Sequence, residues 1–208
     1  MAVAAAVLAG AVVAGAVWIF VMQDVETPAY TVECQDGAFE LRQYPPLVVA
    51  EVVREGPRHR ALQHGFRPLA RYIFASNRPG GRIAMTAPVT QTPAPARAGG
   101  GSAPPEGGRA WAVRFIMPSG RGLADLPAPS DKAVRLRELP AARRAAVRFR
   151  GVADDALLSE KTEALLAWVA SRELRQAGPV DFAYYNDPMT PGFLRRNEVI
   201  VEVSAAPR

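Results

Sequence analysis

Hydrophobic and polar residues alternate through six short segments of this chain: Phe39 to Tyr44, Leu47 to Val53, Ala112 to Met117, Val134 to Leu139, Ala145 to Phe149 and Glu198 to Val203. A period of two sends successive side chains to opposite faces, so each segment predicts a strand with one buried face. Two longer segments change the period. From Pro57 to Phe74, Leu62, Phe66, Leu69 and Ile73 fall at i, i+4, i+7 and i+11, a helical stripe that must face a sheet or a ligand. Pro68 interrupts it, which predicts a kink or break at Arg67, because proline lacks an N–H and crowds the preceding turn. From Asp154 to Arg172 a second stripe carries Leu158, Leu165 and Val169; Asp154 or Asp155 is its N-cap, and Gly178-Pro179 ends the connection beyond it.

The two helical segments hold matching places in two copies of one unit. Glu40 to Pro45 (ELRQYP) and Arg135 to Pro140 (RLRELP) align at a shift of 95 residues, and the same shift carries Ala50 onto Ala145, Val52 onto Val147 and Gly56 onto Gly151. A turn with Met and Thr just before a Pro follows each helix, at Met85-Thr86 and Met189-Thr190. Such self-similarity marks a duplicated unit whose copies cover each other's exposed sheet face. Between the copies, Gln91 to Ala110 is rich in Gly and Pro and almost devoid of large apolar side chains, which predicts a flexible insertion.

Length and composition allow one domain with its own core: 208 residues at 49% hydrophobic content need no metal or disulfide staple. Cys34 is the only cysteine, which excludes an internal disulfide. Ala2 to Met22 carries no charge and would span about 30 Å as a helix, the thickness of bilayer hydrocarbon. With Met1 leading straight into it, no basic region before it and no Ala-x-Ala-like site between its end and Val25, it reads as an uncleaved N-terminal membrane anchor, with the domain on the extracytoplasmic side; secretion after signal cleavage is the alternative. The division is then 1–26 anchor and 27–205 globular domain with an insertion at 91–110. No basic residue flanks the apolar run closely: Asp24 and Glu26 follow it, and the first Arg is Arg42. The net charge of +5 comes from scattered arginines, only Lys132 and Lys161 being lysines, so nucleic acid is not an expected partner.

A series of motifs then carries a resemblance: VETPAYTVE, FELRQYPPLVVAEV, ALQHGF, IAMTAPV, VRFIMPS and YNDPMTPGFLRRNEV, in this order from Val25 to Val203, resemble the SOUL family of haem-binding proteins. The resemblance implies an α+β fold, a distorted antiparallel β-barrel from two pseudo-repeated halves with one main helix packed from each, here preceded by an N-terminal membrane helix. It also implies reversible, non-covalent binding of haem or a related tetrapyrrole, without catalysis and often without a strong axial ligand. The family's haem surface is attributed to the first helix. Here that helix offers Leu62, Phe66, Leu69 and Ile73 against the macrocycle and Arg67 and Arg71 for the propionates, which favour a guanidinium donor. Arg71 matches a position that is basic in some relatives, whereas another such position is Gln63. His64 is the candidate weak axial ligand; with His59 five residues away, the only two histidines do not form a helical metal pair. Met85, Met117 and Met189 are softer alternatives for iron. No nucleophile and base pair is spelled out, so the competing reading is a sensing or interaction module for another amphipathic small molecule.

Overall fold

The computed structural model describes residues 25–94, 110–187 and 189–205; the apolar run 2–22 and the stretch 95–109 lie outside the described residues. In chain order the elements are β1 (Thr31–Asp36), β2 (Phe39–Tyr44), β3 (Leu47–Glu55), α1 (Arg58–Ile73), β4 (Val89–Ala94), β5 (Ala110–Ile116), β6 (Arg135–Leu139), β7 (Ala142–Arg150), α2 (Asp155–Ser171), β8 (Leu174–Tyr184) and β9 (Arg196–Ala205). Nine strands form one sheet in the order β1-β2-β7-β9-β8-β4-β5-β3-β6, antiparallel throughout.

That order reads the same from either end once β1 is set aside. The first unit, β3-α1-β4-β5, and the second, β7-α2-β8-β9, meet where β4 pairs β8 through Val89↔Tyr184, Thr90↔Ala183 and Gln91↔Phe182. The hairpin strands are exchanged: β2 of the first half pairs β7 of the second, and β6 pairs β3. Gly56 and Gly151 leave β3 and β7 at φ of +107° and +120°, a conformation costly for any residue with a Cβ.

The expected barrel is corrected in one respect: the sheet is not closed, and β1 and β6 are its two edges. Both edges are guarded by charge and exposure, since β1 is exposed along nearly its whole length and Arg135, Arg137 and Glu138 stand exposed on β6. The Gly- and Pro-rich stretch also begins later than its composition suggests, because Gln91 to Ala94 continue β4 and pair β5, with Gln91 fully buried.

Both helices pack on one face of the sheet, each over its own half. Leu69, Tyr72 and Ile73 of α1 bury against Ala50, Val52, Val113 and Phe115. Leu158, Leu165, Trp168 and Val169 of α2 bury against Ala145, Val147, Val199 and Val201. The Asp154 side chain accepts from Leu157 N at 2.8 Å and caps α2. Of the kink or break expected at Arg67, the break does not occur: α1 is one helix through Pro68. The carbonyl that Pro68 cannot bond, His64 O, receives Arg54 Nε at 3.4 Å instead. Gly65 sets how closely α1 lies on the sheet: a Cβ there would come within 2.7 Å of Val113 Cγ2.

The opposite face of the sheet is ionic. Where β2 of the first half lies beside the second, Arg42 Nη1 meets Glu198 Oε2 at 2.6 Å and Arg196 Nη2 meets Glu198 Oε1 at 2.6 Å, with the Arg42 and Glu198 side chains 1% and 0% exposed. Burial alone would raise the Glu198 carboxyl, but Arg42 and Arg196 outweigh it and hold the group below the ordinary carboxylate range. In the first half Glu51 pairs with Arg114 at 2.7 Å and with Arg137 at 3.0 Å. Arg114 and Arg137 likewise outweigh burial and depress Glu51. No helix among the described residues is long and apolar enough to cross a membrane.

Candidate functional site

Where the two halves meet on the helix-covered face, a cleft of about 610 Å³ remains between α1 and the loops of the second half, a volume typical of small-molecule sites. The N-terminal half of α1 supplies one wall: Arg58, His59, Leu62, Gln63, His64, Phe66 and Arg67. Val152, Ala153, Asn186, Asp187 and Arg195 supply the other, and Val89, Tyr184 and Asn197 come from the strands beneath.

The floor is a fixed hydrogen-bond network. Arg58 Nη1 donates to Tyr184 Oη at 2.7 Å, and that hydroxyl donates to Gln91 Oε1 at 3.2 Å. Arg58 also pairs with Asp155 at 2.6 Å and donates to Ala153 O at 2.9 Å, so the first residue of α1 is tied to the start of α2. Burial pushes the Tyr184 phenol up to about 12 against the opposing pull of Arg58, so it stays protonated at neutral pH. Asn197 Nδ2 donates to Gly151 O at 2.9 Å, and Arg195 Nε donates to Thr190 O at 2.8 Å, bracing the second wall.

The rim, by contrast, is apolar and open. Phe66 is 36% exposed with its ring edge against Phe115 at 5.2 Å, and Val152 is 57% exposed. The loop from Asn186 to Arg195, which borders the cleft, carries Met189 at 78% and Phe193 at 74% exposure. This loop is seated tightly, since a Cβ on Gly192 would come within 2.7 Å of Val152 Cγ2. Exposed large apolar side chains gathered at a concavity mark a surface that meets a partner or ligand.

Over residues 25–202 the chain matches the family described as SOUL heme-binding protein. It belongs to that family. No curated protein matches it. Among solved structures it is similar to the C-terminal domain of EcmrR, at 13% identity and TM-score 0.59 over 85% of this chain and 99% of that one. It is also similar to a protein from Listeria innocua named as a hydrolase, at 12% identity and TM-score 0.54 over 83% and 94%. An uncharacterized conserved protein from Listeria innocua gives 11% identity and TM-score 0.57 over 80% and 92%. At these identities the likenesses establish the fold alone.

The seven residues of α1 that the SOUL resemblance implies fall into two groups in the structure. Leu62, His64, Phe66 and Arg67 line the cleft. Leu69 and Ile73 do not: at 0% and 2% exposure they belong to the core under α1 and cannot face a ligand there. The buried face runs through Ala61, Gly65, Leu69 and Tyr72, and Leu62 and Phe66 stand one residue, about 100°, around the helix from it, so the single stripe is in fact two. Arg71 is exposed in the last turn and is not among the residues that line the cleft. His59 joins His64 on the cleft wall. Met117 is buried in the core and Met85 packs against it, leaving Met189 as the exposed methionine beside the cleft. No cluster of metal-ligating side chains occurs among the described residues.

Proposed function

We propose that this SOUL-family chain binds haem or a related tetrapyrrole reversibly and non-covalently in the cleft between α1 and the second-half loops, and that it carries the ligand without transforming it. The observation that carries this reading is the pairing of a hydrogen-bonded polar floor with apolar Leu62, Phe66 and Val152 on the walls around a volume of about 610 Å³. A flat, mostly apolar ligand with a charged edge suits that arrangement. Leu62 and Phe66 would cover one face of the macrocycle, and Arg67, exposed at the cleft, would pair with a propionate. His64, exposed on the same wall, would be the weak axial donor. The donor set therefore fits a bound tetrapyrrole. When bound, haem would supply its iron as a site for an axial donor, and the chain's own part is to position and shelter it.

The lining favours binding over catalysis, because it offers neither serine nor cysteine, and Tyr184 is held protonated by burial and engaged by Arg58 and Gln91. Haemin titrated into the full chain in detergent is expected to give a saturable Soret shift at one equivalent. Phe66→Ala should weaken binding about tenfold, part of the value of burying an aromatic face. Arg67→Ala should weaken it several-fold, with a loss that shrinks as salt rises. His64→Ala is expected to change the Soret band only slightly and to leave the affinity nearly unchanged, as for a weak donor; full loss of the band shift would make His64 a strong axial ligand. Non-saturating spectra, or full affinity in both folded Phe66→Ala and Arg67→Ala variants, would overturn this reading in favour of another amphipathic ligand.

A further inference from the structure

The chain that follows the apolar run is pinned to the domain almost at once. Glu26 forms a parallel bridge with Thr86, its carbonyl accepts from Ala87 N at 2.8 Å, and its Oε1 accepts from Ser119 N at 2.6 Å. Only four peptide links separate Met22 from Glu26, a reach of at most about 14 Å. A domain of this size is about 40 Å across. If residues 2–22 sit in a bilayer, the loops around Thr86 and Ser119 are therefore the part of the domain held against its surface.

Those loops carry what the sequence beside the apolar run lacks. Membrane segments are commonly flanked by Lys or Arg, yet here Asp24 and Glu26 follow the run. Folding supplies the cations from elsewhere: Arg121 lies two residues from Ser119 and Arg82 four from Thr86, both exposed. Two acidic groups of this end are hydrogen-bonded within it and keep their charge, Glu26 to Ser119 N and Asp125 to Gly122 N at 2.9 Å. Leu123, 39% exposed in the same loop as Ser119, adds an apolar contact. The geometry points to the loops around Thr86 and Ser119 as a docking face for an anionic bilayer, with Arg82 and Arg121 on lipid headgroups and Leu123 at the interface. This face depends on the membrane reading of residues 2–22 and not on the tetrapyrrole reading.

The test uses the full chain with Cys34→Ser and a dye at Leu123→Cys. It is reconstituted in phosphatidylcholine vesicles with or without phosphatidylglycerol, with nitroxide-labelled headgroups as quencher. A control dye at Glu55→Cys stands at the other end of the sheet, since Glu55 pairs Ala110 at the start of β5 while Ser119 follows its end. Quenching is expected at Leu123 and not at Glu55, stronger with phosphatidylglycerol. Arg82→Glu and Arg121→Glu should each weaken the anionic-lipid dependence at least about fivefold. Equal quenching at the two positions in vesicle-bound protein would overturn the docking face. Release of the protein from vesicles by a high-salt wash would overturn the anchor on which it rests. Haemin binding, read on the same samples, is expected to be unaffected by either arginine reversal.

Discussion

The two halves of this SOUL-family domain are copies that have been put to different uses. In the second half α2 has a side-chain cap, no internal Gly or Pro, and a buried face of Leu158, Leu165, Trp168 and Val169. In the first, α1 has no side-chain cap, contains Gly65 and Pro68, and turns Leu62, His64 and Phe66 toward a cleft. The ionic face is asymmetric too, through pairs that the exchanged strands make across the halves: Arg42 of β2 is sealed on Glu198, while Arg137 of β6, which reaches Glu51, has a side chain 52% exposed. Both halves line the cleft, but only the first half's helix gives part of its length to it, while the second contributes loops and keeps its helix on the core.

The sharpest way to break this contrast is through the ionic face. Glu198→Gln removes the charge shared by Arg42 and Arg196, leaving Arg42 only its pair with Glu40 at 2.7 Å, and is expected to cost about 3 kcal/mol, the low end of the range for breaking a buried pair. Glu51→Gln should cost less, about 1.5–3 kcal/mol, as for hydrogen bonds to charged groups. Both carboxyls lie below their ordinary value when folded, so their stabilisation is complete above about pH 4.3 and is lost as pH falls through the depressed folded values. Melting curves across that range should show a flatter acid limb for Glu198→Gln than for Glu51→Gln. Equal costs and equal limbs would mean that the halves carry stability alike.

The helices give the next largest effect. Leu165→Ala in α2 removes a fully buried side chain and should cost about 2–5 kcal/mol with little change in haemin affinity per folded molecule. Leu62→Ala in α1, half-buried at the cleft wall, should cost under about 1.5 kcal/mol yet weaken haemin measurably. The smallest effect belongs to the cap: Asp154→Ala should cost about 1 kcal/mol by thermal melting and leave the haemin titration where it was. A haemin loss with that variant would show that α2 contributes to the site through more than its position.

What could be read in the chain followed how each element is exposed. β2, β3 and β7 are legible as short runs of apolar and polar residues bounded by turns even though burial continues through consecutive residues such as Val49 to Val52, and the shift that aligns Gly56 with Gly151 marks both halves. Three strands carried no such signal. β1 is an exposed edge with a polar pattern, β4 runs into a Gly- and Pro-rich stretch and contains Pro93, and β8 is interrupted where its register shifts between Gln176 and Val180. Gly178-Pro179, read as the end of a connection, lies inside that irregularity. Leu69 and Ile73 were assigned to the ligand because a stripe cannot say which of its members the sheet takes; the close seat of Gly65 on Val113 decides it. The second wall of the cleft, Val152, Asn186 and Arg195, comes from the other copy about a hundred residues away. The repeated Met-Thr turn was the one sign that this region mirrors the first.

The exchange of β2 and β6 between the halves has a consequence for how the chain is made. β2 is complete at Tyr44, yet its partner β7 begins only at Ala142, so the first hairpin leaves the ribosome with an open edge and nothing to pair. At about 5–20 residues per second, that wait lasts on the order of 5–20 s. The two copies thus cannot mature one after the other: the first to be synthesised, which carries the cleft helix, is completed only when the second arrives.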